Sequence, residues 1–124
     1  MLMTASPTNG IDAGLTGVTT ATIRTLNDTF RRNPSGESLM MTVGVSALAM
    51  NELASLLRAV RDFDNFDAGN DPYNEHDFGA VELDGTAYFW KIDYYDLDRR
   101  YGSPDPSNPD VTSRVLTIMR PDEY

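Results

Sequence analysis

The densest set of chemically capable side chains in this 124-residue chain is Asn70-Asp71-Pro72-Tyr73-Asn74-Glu75-His76-Asp77-Phe78-Gly79, which places the only histidine among carboxylates. Asp71, Glu75, His76 and Asp77 together offer hard oxygen donors and one imidazole, the ligand types of a Mg²⁺, Mn²⁺, iron or zinc centre. The spacing works against convergence. Consecutive residues of an extended chain point to opposite sides, so Glu75 and Asp77 meet while His76 faces away. A calcium loop is excluded, because alternating Asp or Asn followed by Gly and a later Glu does not occur in register. The competing reading is structural: Asp71-Pro72 makes a turn, and His76 donates a hydrogen bond that locks the loop onto the sheet. The expectation is no catalytic residue and no cofactor, with Asp71, Glu75, His76 and Asp77 as the alternative metal set of a small metal-dependent enzyme.

Other chemistries fall to single positions. A restriction-type nuclease core needs a carboxylate two residues before a strand lysine, and the residue two before Lys91 is Phe89. There is no Gly-x-Ser-x-Gly elbow for a serine hydrolase and no Gly-x-x-x-x-Gly-Lys phosphate loop, and Lys91 is the one lysine of the chain. With no cysteine, disulfides, thiolate nucleophiles and Cys-ligated metals are ruled out.

The charge is unevenly spread. Ten basic against nineteen acidic residues give a formal −9. Residues 1–61 carry a net +1 and residues 99–124 sum to zero, whereas Asp62 to Asp98 holds eleven acidic residues against Lys91, a net of −10. A field of that sign repels free nucleic acid and favours cations or basic protein surfaces. The plainer reading is solubility, since acidic surfaces are common.

These residues must be positioned by a small number of elements. Residues 1–18 are rich in Thr, Gly and Ser without apolar period and read as a flexible lead-in, and residues 19–124 read as a single α+β domain. Thr19 or Thr20 opens a helix to about Arg32, with Ile23, Leu26 and Phe30 on one face and Arg24, Arg31 and Arg32 elsewhere. Ser38–Val45 alternates as a strand. Ser46 caps a second helix, Ala47 to about Phe63, with Met50, Leu53, Leu56, Leu57 and Val60 on its apolar stripe. Asp64–Asp77 is a long loop, the kind that is functional or mobile. Asp84-Gly85 is a type I′ turn pair that sets Leu83 opposite Thr86, Val81 opposite Tyr88 and Gly79 opposite Trp90. Asp96–Asp110 is a second long connection, and a last strand runs from about Ser113 to Met119. The expected architecture is α+β, with two helices packed on a four-stranded mostly antiparallel sheet in the order α-β-α-β-β-β. No apolar run approaches a membrane span and no signal peptide is recognisable, so the chain reads as a soluble cytoplasmic protein.

Tyr88-Phe89-Trp90-Lys91-Ile92-Asp93-Tyr94-Tyr95-Asp96 packs five aromatics into nine residues. Strand alternation assigns Trp90, Ile92 and Tyr94 to the core and leaves Phe89, Lys91, Asp93 and Tyr95 on the other face, a mixed aromatic and charged patch of the sort found at interfaces. Asp64, Asp67, Asp71, Glu75, Asp77, Phe89, Lys91, Asp93 and Tyr95 are therefore the expected partner-binding residues.

Asn70-Asp71-Pro72, Glu75-His76-Asp77-Phe78-Gly79, Phe89 to Asp96, Gly102-Ser103-Pro104-Asp105-Pro106 and Arg114 to Met119, with Leu26-Asn27-Asp28 and Phe30, resemble a family of small bacterial proteins described as a domain of unknown function and often encoded on plasmids and genomic islands. The resemblance spans residues 23–124. It carries over no catalytic or binding residue, and a mobile-element setting implies an accessory or anti-defence role. The expected function is a non-enzymatic acidic binding protein that docks onto a basic nucleic-acid-binding effector and inhibits it, as an anti-restriction or anti-CRISPR protein would. A homodimer through Phe89, Tyr95 and the final strand is the third reading.

Overall fold

Asp84 and Gly85 adopt φ values of 52° and 82°, the left-handed pair that a two-residue turn of type I′ requires. In the computed structural model, which describes residues 10–124, this turn joins β2 (Phe78–Leu83) to β3 (Thr86–Tyr95). The register is the expected one, with Leu83 opposite Thr86, Val81 opposite Tyr88 and Gly79 opposite Trp90. Glycine at 79 makes room for the indole: a Cβ there would sit 2.5 Å from the indole nitrogen of Trp90.

β4 (Ser113–Met119) runs antiparallel to β3, with Trp90 opposite Ile118 and Ile92 opposite Leu116. β1 (Leu39–Met41) adds in parallel to β4, so the sheet order is β1-β4-β3-β2 and the sheet is mixed. α1 (Gly10–Arg32) and α3 (Met50–Arg61) cover one face, and a short α2 (Val43–Ser46) links them through β1. The core gathers Val45, Leu56, Val60, Tyr88, Trp90, Ile92, Leu116 and Ile118. This is the α+β class expected, with one additional helical turn.

That turn corrects the strand expected over Ser38–Val45. The chain leaves the sheet after Thr42, whose N–H still bonds to the Ile118 carbonyl. The Glu123 carboxylate then takes the Thr42 hydroxyl at 2.6 Å and the Gly44 N–H at 2.8 Å. A contact from the far end of the chain thus overrides the local alternation, burying Val45 and exposing Val43. α3 begins at Met50 rather than Ala47, because Glu52 reaches back to the Ala49 N–H at 3.2 Å. Met50 leaves the expected stripe, 88% exposed, while Leu56 becomes its centre.

α1 starts at Gly10 instead of Thr19 or Thr20 and so takes in part of the expected lead-in; residues 1–9 of that lead-in lie outside the described residues. No proline stands between Pro7 and Pro34 to stop a packed helix from extending upstream. The buried face of α1 also differs from expectation. Ile23, Asn27 and Arg31 are buried at four-residue spacing, so Arg31 lies beneath the helix rather than on its solvent side.

Candidate functional site

The loop from Asp62 to Asp77 lacks regular structure but is fastened at many points. Asp71, 6% exposed, accepts the backbone N–H groups of Glu75 and His76, each at 3.1 Å, on one carboxylate oxygen. That curl requires Asn74 and His76 to adopt left-handed φ values of 59° and 57°, a cost the surrounding contacts must offset. His76 Nδ1 then meets Asp28 of α1 at 2.9 Å, while Nε2 lies 3.7 Å from Asp71. The imidazole stacks flat on Phe66, centroids 3.7 Å apart.

Beneath this stack lies Arg31. Its guanidinium donates to Asp28 and to the carbonyls of Val60 and Phe63, closing the end of α3 and the start of the loop. It also lies 5.0 Å from the Trp90 ring centroid and 5.4 Å from that of Phe66. Burial pulls the Arg31 pKa down, and the hydrogen bond to Asp28 offsets part of that.

A second arm extends from Asn27, one turn before Arg31 on the same face of α1. Asn27 donates to the Glu75 carbonyl at 2.9 Å and to the Tyr94 hydroxyl at 2.8 Å, and its own carbonyl oxygen accepts from Arg114 Nε at 2.7 Å. Tyr94 in turn donates to Glu75 Oε1 at 2.7 Å. Burial, together with that bond to Glu75, pushes the Tyr94 phenol above its usual range and keeps it a proton donor. Burial, reinforced by the neighbouring Glu75 charge, raises the Asp77 carboxyl.

Chemically, this constellation is a clasp. Both imidazole nitrogens face carboxylates, Asp71 caps backbone amides, and Glu75 is engaged by Tyr94. Of the alternative metal set, Asp71 and His76 lie side by side, while Glu75 turns to the sheet. Among the described residues, no group of three or more His, Asp or Glu side chains is arranged to hold a metal ion.

The expected partner-binding residues divide into three environments. Asp64 and Asp67 are exposed on the loop, with Asp67 accepting the N–H groups of Gly69 and Asn70. Asp71 is buried and Glu75 and Asp77 are half-buried. Phe89, Lys91, Asp93 and Tyr95 lie together on the sheet face opposite the helices. Phe89 packs edge-on against Phe78 and Tyr124. Lys91 pairs with Asp93 at 3.1 Å, and Tyr95 joins them along an open groove of about 620 Å³ that reaches Met40 and Thr117. The final strand has no free edge over Leu116–Ile118, being flanked there by β1 and β3.

Reading the sequence missed Asn27, Asp28, Arg31, Tyr94 and Arg114 as partners of this loop. Their signal was available only in part: Asn27 and Arg31 share a helical face with Ile23, a polar stripe on a helix that had to bury something.

No helix of the described residues is long and apolar enough to cross a membrane. No curated protein and no solved structure matches the chain. The family model described as "Protein of unknown function (DUF3768)" matches residues 41–123, from the end of β1 through the clasp loop to the turn that carries Glu123, and the chain belongs to that family.

Proposed function

We propose that the chain is a non-enzymatic binding protein whose acidic middle segment docks onto a basic, nucleic-acid-binding surface of another protein and blocks it. The observation that carries this reading is the division of labour among the eleven acidic residues from Asp62 to Asp98. Asp71 is buried and Glu75, Asp77, Asp93 and Asp96 are half-buried, whereas Asp62, Asp64, Asp67, Glu82, Asp84 and Asp98 are exposed. The one cation of the segment, Lys91, is paired with Asp93. Among the described residues, the one cation within ion-pair distance of the exposed six is Arg61, 3.9 Å from Asp62. Exposed carboxylates that outnumber their paired cations suit a surface that otherwise receives phosphates. An inhibitor of a restriction or CRISPR effector encoded on a mobile element is the most specific form of this proposal.

The test is competition. A DNA-binding partner captured at low salt should release DNA as this chain is added, with an affinity that falls steeply as salt rises. Combined reversal by Asp64→Lys, Asp67→Lys and Asp84→Lys should weaken that competition by about tenfold or more. Asp71 is left intact, because its carboxylate holds the loop. Competition unchanged by the triple reversal rejects the acidic surface as the docking element.

A further inference from the structure

β2 is the outer strand at one end of the sheet, six residues long against three for β1 at the other end. Its pairing with β3 uses only half of its backbone groups. Ile92 donates to the Asp77 carbonyl at 2.8 Å, and bonded pairs alternate along an antiparallel ladder. Gly79, Val81 and Leu83 are therefore the residues bonded to Trp90, Tyr88 and Thr86. Phe78, Ala80 and Glu82 turn their N–H and C=O groups to the outer edge, at intervals of about 7 Å. None of those groups has a hydrogen-bond partner among the described residues, and Ala80 and Glu82 are exposed. Free strand groups template pairing with another chain, so edges are ordinarily blunted by lysine, proline, a bulge or a covering segment. β2 holds neither lysine nor proline, and it pairs with β3 residue for residue, without a bulge.

The surroundings select the charge of what can pair there. From Glu75 to Asp84 the chain carries Glu75, Asp77, Glu82 and Asp84 and no Lys or Arg. Lys91, opposite Phe78, is drawn to Asp93. A second copy of the chain fits poorly: antiparallel pairing of two β2 strands about Ala80 sets Glu82 opposite Phe78 of the other copy, beside that copy's Asp77, between chains of net charge −9. On the open face, Ala80 stands opposite Phe89, whose ring centroid lies 5.2 Å from that of Phe78. The short Ala80 side chain leaves room beside these two half-buried rings for an apolar residue of an added strand.

We infer that the outer edge of β2 takes up an extended, basic segment of a partner protein as a fifth strand, its backbone bonded to Phe78, Ala80 and Glu82. An apolar residue of that segment lies opposite Ala80, and Lys or Arg lies opposite Glu82 and Asp77. Asp77 and Glu82 are five positions apart, so the two cations project from opposite faces of the sheet. The inference deepens the docking reading and rests on it for the source of the segment, a protein with a basic surface.

The probe is the capped hexapeptide Lys-Thr-Val-Thr-Thr-Lys, which matches residues 77–82 in antiparallel register, titrated into the full chain by NMR at low salt. Saturation with a Kd below about 1 mM is expected. At saturation the Phe78, Ala80 and Glu82 amides should gain about tenfold or more protection from hydrogen exchange, while Gly79 and Val81, already bonded to β3, change little. N-methylation of the valine, or glutamate in place of both lysines, should weaken binding by about tenfold or more. Ala80→Pro deletes the central edge N–H without removing a bond to β3 and should do the same; if that variant does not fold, Glu82→Lys carries the test through charge. Absence of saturable binding, affinity indifferent to N-methylation, or protection spread evenly along β2 overturns the inference. Ala80 and Glu82 amides already protected in the free chain and released on dilution overturn it too, assigning the edge to a second copy. Loss of DNA competition with peptide binding intact rejects the docking reading alone, and the reverse rejects the edge alone.

Discussion

Neighbouring residues of β3 meet opposite fates on the two faces of one sheet. Trp90 and Ile92 are 0% and 3% exposed under α1 and α3, while Lys91 and Asp93 hold one another on the face that neither α1 nor α3 covers. The backbone is the same and the side chains alternate, so the difference isolates what a cover contributes. On the covered side, apolar area leaves water and the polar groups of α1 must be matched one by one. On the open side an ion pair stays solvated and carries little energy.

Replacing Trp90 should break the comparison most severely. Trp90→Ala is expected to cost about 3–5 kcal/mol, read as a shift of the urea midpoint. Asn27→Ala should follow at about 1–3 kcal/mol, since it strips an acceptor from Arg114 Nε and a donor from the Glu75 carbonyl. Gly79→Ala should cost about 1–3 kcal/mol by driving a methyl into the indole, and a smaller residue at position 90 should recover part of that loss.

Acid titration of stability sharpens the contrast through two carboxylates with opposite signs. Hydrogen bonds from the Thr42 hydroxyl and the Arg120 and Gly44 N–H groups hold the Glu123 carboxyl below its usual range. Its contribution is therefore complete above the unfolded-state pKa and is lost as pH falls through the lower folded value. Glu123→Gln should flatten that acid limb. Asp77 behaves inversely: its folded pKa is raised, so the folded chain holds this proton more tightly and ionisation of Asp77 costs stability. Asp77→Asn should raise the urea midpoint at neutral pH, with the gain vanishing as pH drops below the unfolded-state value. The smallest effect is expected from Lys91→Ala, at most about 1 kcal/mol and reduced further by salt.

The hairpin and the last strand were legible because their determinants are local. Asp84-Gly85 specifies its own turn, and a two-residue turn leaves one register between Leu83 and Thr86. Ser113–Met119 matches the expected strand end to end. The bend after Thr42 was not legible, since alternation at Leu39, Met41, Val43 and Val45 favours a strand until Glu123 arrives from the other end of the chain. The clasp loop was legible in half. Its Asp71-Pro72 turn and a locking hydrogen bond from His76 follow from residue type, but the bond runs to Asp28 of α1, 48 positions away, and not to the sheet as expected.

Composition and local spacing by themselves determined the absence of cysteine chemistry, the position of the charge, the hairpin register and which residues of β3 share a face. Those properties depend on covalent identity and on the two-residue period of a strand. Tertiary structure alone decided which face the helices cover, that Asn27 and Arg31 are buried, that Asp71 is a structural carboxylate while Asp64 and Asp67 stay in water, and that Arg114 is buried against Asn27 and the Tyr94 ring. Burial and pairing join residues far apart in the chain, and the free energy of each group depends on what the fold brings beside it.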